Sequence, residues 1–118
     1  MMNFTIEFYE DEQGECPVEH FLCSLDIKMR AKLLGLLEIL QEKGNQLREP
    51  YSKYLEDGIF EIRGKVGSNI TRILYFFYHD KKIILTNGYV KKCQKIPRSE
   101  LELAKLRRKD YLERIECK

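Results

Sequence analysis

The sequence lacks the features that indicate a membrane span, a secretory signal or a metal centre. No apolar run in its 118 residues approaches the roughly 20 residues of a membrane helix. The first twelve residues, MMNFTIEFYEDE, are acidic where a secretory signal would be basic and then apolar. Its 4 cysteines form no C-x-x-C pair and its 2 histidines stand far apart, whereas zinc ligands are usually closely spaced. We therefore expect a cytoplasmic protein with reduced thiols and neither metal nor cofactor.

Charge is distributed unevenly along the chain, although the net charge is only +2. Residues 1–26 contain seven acidic residues and no lysine or arginine, whereas residues 59–98 contain nine basic residues against two acidic ones. A weakly charged protein with one basic segment presents a localised field, which is informative about its partners. On this evidence alone, the lysines after residue 90 form either a solvated strand end or a contact for a polyanion.

Apolar periodicity predicts three helices and about four strands in one domain, residues 1–118. In chain order we expect a strand at 3–9, helices at 17–25 and 27–44, a loop at 45–58, strands at 59–64, 69–79 and 82–90, and a helix at 97–115. Pro17 suits a first helical turn, Asp26 and Gly44 suit the two ends of the second helix, and Ser99 suits the N-cap of the last.

The predicted order, β-α-α-β-β-β-α, indicates an α+β domain with a small antiparallel sheet of about four strands. We expect the helices to pack on one face of the sheet and the other face to carry the function. Both alternating sets of side chains in the strand at 69–79 are largely apolar, which is typical of a central strand. Arg72 lies in this strand, and we expect it to emerge into a groove beside Arg63 and the lysines after residue 90.

Several motifs resemble those of the RelE/ParE superfamily of toxins from bacterial toxin–antitoxin pairs, in particular its HigB-like, phage-associated branch. They lie in YLEDGIFEIRG, in TRILYFFYHDKKIILTNGYVKKCQKIP and in SELELAKLRRKDYL. The residues that carry the resemblance are Leu55, Gly58, Ile59, Phe60, Glu61, Ile62, Arg63, Arg72, Tyr75, Phe76, Lys91, Lys92, Lys95, Pro97 and Ala104.

The resemblance implies a RelE-like fold and a metal-independent endoribonuclease that cuts translated messenger RNA on the ribosome. Attack of a 2′-hydroxyl on the adjacent phosphate requires a proton acceptor, a proton donor and cations that stabilise the developing negative charge. The implied catalytic residues are Arg63, Arg72 and Lys92, and the implied RNA-binding residues are Lys91, Lys95, Tyr75 and Tyr89. His79 is a candidate general base only if its turn faces the groove.

Arg63 and Arg72 also have possible roles that are purely structural. Arg63 can pair with Glu61 on the sheet surface, and Arg72 can form a salt bridge to a helix carboxylate such as Glu38 or Glu42. The paired lysines that the best-studied RelE members carry fall on Ile59 and Glu61 here, which leaves the general base unassigned.

Two other functions remain open on the sequence: a non-enzymatic inhibitor of DNA gyrase, as in the ParE branch, and an inactive RNA-binding module. The resemblance also implies a cognate helix-turn-helix antitoxin, and contact with operator DNA only through that antitoxin. We expect the antitoxin to bind the acidic residues 1–26, away from the basic segment, and we expect no membrane partner.

Overall fold

A computed structural model describes residues 3–79, 81–90 and 96–116, and it confirms the α+β class. The strands are β1 (Thr5–Phe8), β2 (Ser52–Glu56), β3 (Ile59–Val66), β4 (Asn69–Tyr78) and β5 (Lys82–Val90). The helices are α1 (Pro17–Ser24), α2 (Ile27–Lys43) and α3 (Arg98–Glu116), with a 3₁₀ turn at Gly44–Gln46. No helix in the described ranges has the length and apolar character needed to cross a bilayer.

The five strands form one mixed sheet in the order β1-β5-β4-β3-β2. The predicted antiparallel meander of β3, β4 and β5 is confirmed, with β4 at its centre. The small sheet predicted with about four strands has five, because β2 adds an edge strand, and it is mixed because β1 pairs with β5 in parallel.

Strand β2 lies within the segment that the sequence predicts as a loop. It pairs with β3 from Ser52 opposite Ile62 to Glu56 opposite Ile59, with an irregularity between Tyr54 and Glu56. Only Ser52 in this strand is fully buried. An edge strand with one exposed face and little apolar alternation carries almost no period-2 signal, which explains the wrong prediction.

Local chemistry sets the helix ends largely as predicted. Pro17 begins α1, and the carboxylate of Asp26 accepts a hydrogen bond from the Met29 N–H at 2.8 Å, which caps α2. Gly44 ends α2 with φ at 54°, a conformation that favours glycine. The prediction for Ser99 is wrong: the Pro97 carbonyl accepts the first helical hydrogen bonds, so α3 begins at Arg98 and Ser99 lies inside its first turn.

The N-terminal helices α1 and α2 pack together on one face of the sheet as predicted, whereas the expectation that α3 shares this face is wrong. Helices α1 and α2 enclose one apolar core with Ile62, Ile73 and Leu85. Helix α3 encloses a second core on the opposite face, where Leu101 and Ala104 meet the other alternating set of strand residues. Both sets on β4 are apolar because both are buried.

Close packing of α2 on the sheet depends on a glycine in β3. A Cβ built on Gly64 would lie 2.7 Å from Leu33 Cδ2, closer than side-chain atoms normally approach. Gly64 therefore lets α2 approach β3 closely enough for Leu33 to be fully buried.

We expect Gly64→Ala to lower the free energy of unfolding by about 1–3 kcal/mol, because the new methyl group overpacks the contact with α2. Urea denaturation followed by circular dichroism measures this change. Gly35→Ala is the matched control: a Cβ on Gly35 meets nothing within 4 Å, and alanine favours a helix interior by about 1 kcal/mol. Equal stability of Gly64→Ala and wild type would contradict this account of the packing.

Candidate functional site

Three polar side chains lie in a row across the sheet face that α3 partly covers. Arg63 on β3 is directly opposite Arg72 on β4, and Arg72 is directly opposite Tyr89 on β5. The Arg63 N–H donates outward to the carbonyl of Tyr51 at 2.9 Å, so Arg63 and Arg72 form a non-hydrogen-bonded pair of the β3–β4 ladder. In such a pair the Cα atoms are about 4.5 Å apart and the side chains are closest.

The carboxylate of Glu61 pairs with both arginines and offsets one of their two positive charges. Glu61 precedes Arg63 by two residues and therefore points to the same face. Arg72 Nη1 donates to both carboxylate oxygens, at 2.8 Å and 2.7 Å, and Arg63 Nε donates to Oε2 at 2.8 Å. Opposed like charges destabilise a strand pair, so the shared carboxylate is what allows both arginines to occupy this position.

Arg72 is buried rather than open to a groove, so the expectation that it emerges at the surface is wrong. Only 4% of the residue is exposed, and its Glu61 partner has 0% exposure. The alternative partners on α2, Glu38 and Glu42, are also wrong, because the ion pair runs between neighbouring strands. The catalytic role of Arg72 stays a prediction for a residue that is 4% exposed and whose Nη1 is bound to Glu61.

Arg63 occupies the outer position of this cluster. Its side chain is 24% exposed, and its contact with Glu61 uses only Nε. Among the described residues neither Nη1 nor Nη2 of Arg63 has a hydrogen-bond partner, which leaves the N–H groups at the end of the guanidinium available. A guanidinium held at Nε and open at its end is suited to a bidentate contact with an anion.

Three buried polar atoms on β4 and β5 have no hydrogen-bond partner in the described part of the chain: Arg72 Nε, Asn87 Oδ1 and the Tyr89 hydroxyl. The other end of the Asn87 amide donates to the carbonyl and side chain of Glu100, which joins β5 to α3. Burial, with a further contribution from Glu61, raises the pKa of Tyr89 to about 12, so its phenol stays protonated at neutral pH. Tyr89 is only 8% exposed, which does not fit the expected stacking on a base.

Tyr75 and His79 do not belong to this cluster, contrary to the expected RNA contact for Tyr75. Tyr75 is 1% exposed in the core under α1 and α2, on the opposite face, and its hydroxyl is 2.5 Å from Ser52 Oγ. Burial raises the pKa of Tyr75 to about 12. His79 follows the far end of β4, about 23 Å along the strand from Arg72, so its turn does not face the cluster.

The remaining predicted residues, Lys91, Lys92 and Lys95, lie outside the described residues. Sequence reasoning named Glu61 only as a surface partner and overlooked Asn87; the i, i+2 spacing of Glu61 and Arg63 was the available signal. No group of three or more His, Cys, Asp or Glu residues that could hold a metal ion occurs within the described ranges.

Removing Glu61 from the buried ion pair is expected to destabilise the fold strongly. Glu61→Leu should lower the free energy of unfolding by about 3–5 kcal/mol, because it leaves the buried Arg72 without a counter-charge. Arg72→Leu should lower it by a smaller amount, because Arg63 Nε still donates to the Glu61 carboxylate. The loss of unfolding free energy in the double variant should be smaller than the sum of the losses in the two single variants by about 2 kcal/mol or more, as measured by urea denaturation.

The i, i+4 pair of Arg98 and Glu102 on α3 is the control for this cycle, since its side chains are 64% and 55% exposed. Its coupling should stay within about 0.5 kcal/mol. A Glu61–Arg72 coupling as small as that of the control pair would contradict the proposed role of the carboxylate.

Comparison with protein families matches most of this sequence to a known family. A comparison with curated proteins gave no match. Residues 20–109, which include α2, the whole β2–β5 meander and most of α3, match the model of the Phage derived protein Gp49-like family (DUF891). The match includes Glu61, Arg63, Arg72 and Tyr89. The chain therefore belongs to the Gp49-like family, a family of RelE-like toxins of toxin–antitoxin systems.

Proposed function

We propose that this protein is the toxin of a type II toxin–antitoxin pair of the HigB-like kind, and that it arrests growth by cleaving messenger RNA on the ribosome. The observation that carries the proposal is the open guanidinium end of Arg63, held on one sheet face by Glu61 and flanked by Arg72. Family membership supports the toxin role. In sequence, Lys91, Lys92 and Lys95 follow directly after β5 and extend the positive charge.

Arg63 supplies the cation that contacts the scissile phosphate in this proposal. Attack of the 2′-hydroxyl places additional negative charge on the phosphate oxygens, and the free N–H groups of Arg63 can bind two of them. Arg72 acts as a positioning residue: it balances the charge of Glu61, which in turn fixes the Nε end of Arg63. Lys92 remains a proposed catalytic residue and Lys91 and Lys95 proposed RNA contacts, on the sequence alone.

Tyr89 limits the acid–base chemistry available beside Arg72. A phenol with a pKa of about 12 is a hydrogen-bond donor at neutral pH and not a base. Tyr89 therefore does not remove the 2′-hydroxyl proton, and its buried hydroxyl makes no direct contact with RNA in this proposal. A lysine close to other cations loses its proton more readily, and Lys92 lies between Lys91 and Lys95 in the sequence, which makes it the proposed general base.

Arg63→Ala is expected to abolish growth arrest and reduce message cleavage roughly 100-fold or more, since one transition-state contact is lost. The fold should persist, because Arg72 still neutralises Glu61. Expression from a tight promoter, with mapping of message 5′ ends and circular dichroism of the purified variant, measures both effects. Lys109→Ala, which removes an exposed cation on α3, is the matched control and should cleave as wild type does.

Growth arrest by the wild type with intact transcripts would contradict RNA cleavage. If that arrest came with induction of the DNA-damage response, gyrase inhibition would replace this proposal.

A helix-turn-helix antitoxin is the proposed partner, and it would carry the complex to operator DNA. The acidic segment that could receive it follows edge strand β1, about 14 Å across the sheet from β3. Glu12, Glu15 and Glu19 are exposed there. A partner bound to this segment would leave the Arg63 side of the sheet uncovered.

Replacing Glu12, Glu15 and Glu19 together by lysine is expected to weaken antitoxin binding at least tenfold while toxicity is retained, because the charge of the binding surface is reversed. Calorimetry with the antitoxin encoded beside this gene measures the affinity. A triple lysine variant at Glu38, Glu42 and Glu113, all exposed, makes the same change of charge elsewhere. Equal weakening by both variants would contradict a local contact.

A further inference from the structure

A groove of about 480 Å³ adjoins Arg63 where β2 begins and β3 turns into β4. Its lining includes Lys32 from α2, Tyr51 before β2, and Arg63 and Lys65 from β3. Pro50 and Ile70 form part of its apolar wall. We call it the cationic groove, and Arg63 is one of its lining residues.

The charges in the cationic groove are not balanced locally. Lys32 and Lys65 are exposed, and neither forms an ion pair within the described part of the chain. None of the described residues that line the groove is acidic. These two lysines, together with an Arg63 that shares the single charge of Glu61 with Arg72, create a local positive potential, which attracts a polyanion.

The backbone at the edge of β3 adds a donor to this groove. The bond from the Arg63 N–H to the Tyr51 carbonyl is the last contact of this edge with the β2 segment, since β2 begins opposite Ile62. Strand N–H groups alternate between the two edges, so the Lys65 N–H points to the same edge as that of Arg63. Beyond Arg63 this edge has no strand partner among the described residues. Backbone N–H groups are common donors to nucleic-acid phosphates.

An aromatic ring lies beside these donors. Tyr51 is 47% exposed, and its main chain is fixed by the contact with Arg63. Exposed aromatic rings in positively charged grooves stack on the bases of single-stranded nucleic acids. Sites for single-stranded nucleic acids combine a positively charged groove with an exposed ring, and the open backbone edge adds donors for phosphate.

We infer that the cationic groove binds the single-stranded RNA on one side of the scissile phosphate. Lys32 and Lys65 contact the backbone, Tyr51 stacks on a base, and Arg63 marks the boundary with the cleavage site. This inference rests on the proposed function and adds a substrate-binding track outside the strand row. An acidic peptide is the competing occupant. We favour RNA because Tyr51, which can stack on a base, and Arg63, which belongs to the proposed cleavage site, line the same groove.

The test measures binding of the purified full chain to a labelled single-stranded oligoribonucleotide carrying 2′-O-methyl groups, which prevent cleavage. Lys32→Ala with Lys65→Ala should weaken binding at least tenfold at low salt and reduce the slope of log K against log salt by about 1.4. Tyr51→Ala should weaken binding roughly 5- to 100-fold, whereas Tyr51→Phe should bind as wild type does. Lys43→Ala with Lys109→Ala, exposed lysines that do not line the groove, is the charge-matched control.

Several outcomes would overturn the inference. If the Lys32 and Lys65 double variant binds RNA as wild type does, while wild type cuts messages, the groove is wrong and the nuclease proposal stands. If wild type neither binds RNA nor cuts messages, both fail. If the control variant of Lys43 and Lys109 weakens RNA binding as much as the groove variant does, the effect is one of net charge and not of the groove. If the wild type binds poly-glutamate more tightly than RNA, the groove binds an acidic protein segment.

Discussion

A buried carboxylate between two arginines is the interaction on which the candidate site depends. Arg63 and Arg72 occupy directly opposed positions on β3 and β4, where two positive charges repel at short range. Glu61, with 0% exposure, accepts hydrogen bonds from both. The buried carboxylate needs an arginine partner because an uncompensated charge in the core is strongly destabilising, and Arg63 needs the carboxylate to keep its orientation. Arg72 therefore stabilises the pair internally, while Arg63 presents charge to solvent.

The layered fold confines the accessible part of the site to one side. Helix α3 covers the face that carries Arg72 and Tyr89, and Asn87 joins that face to Glu100 at the beginning of the helix. What remains accessible lies towards β3, where β2 stops short of the β3–β4 turn. Arg63 and the cationic groove meet there. In the proposed function, RNA approaches along this edge and not across the middle of the sheet.

Local patterns in the sequence predicted the helices and the β3–β5 meander well. Pro17, Asp26 and Gly44 act within one helical turn, so their effect is readable from neighbouring residues. Alternation within β3 and β4 also placed Arg63 and Arg72 near one another. The toxin family was recognisable from motif order, and the family match agrees with it.

Properties that depend on pairing between distant segments were not predictable in this way. Strand β2 has no alternation of its own and becomes a strand only through its contact with β3. The burial of Arg72 depends on its register against Glu61 and on coverage by α3. The sequence of a single strand contains neither piece of information. The cationic groove combines Lys32 from a helix with Tyr51 and Lys65 from later segments, so no contiguous motif signals it.

The most direct test of this account is a proton–nitrogen NMR spectrum of the arginine side chains, recorded with and without a non-cleavable single-stranded oligoribonucleotide. The account predicts an Arg63 Nε–H signal that is protected from exchange by Glu61 in the free protein. On addition of RNA, the Nη signals of Arg63 should shift while those of Arg72 stay in place. Unshifted Arg63 signals at saturating RNA, or an Arg63 Nε–H that exchanges as fast as that of an exposed arginine, would contradict the account.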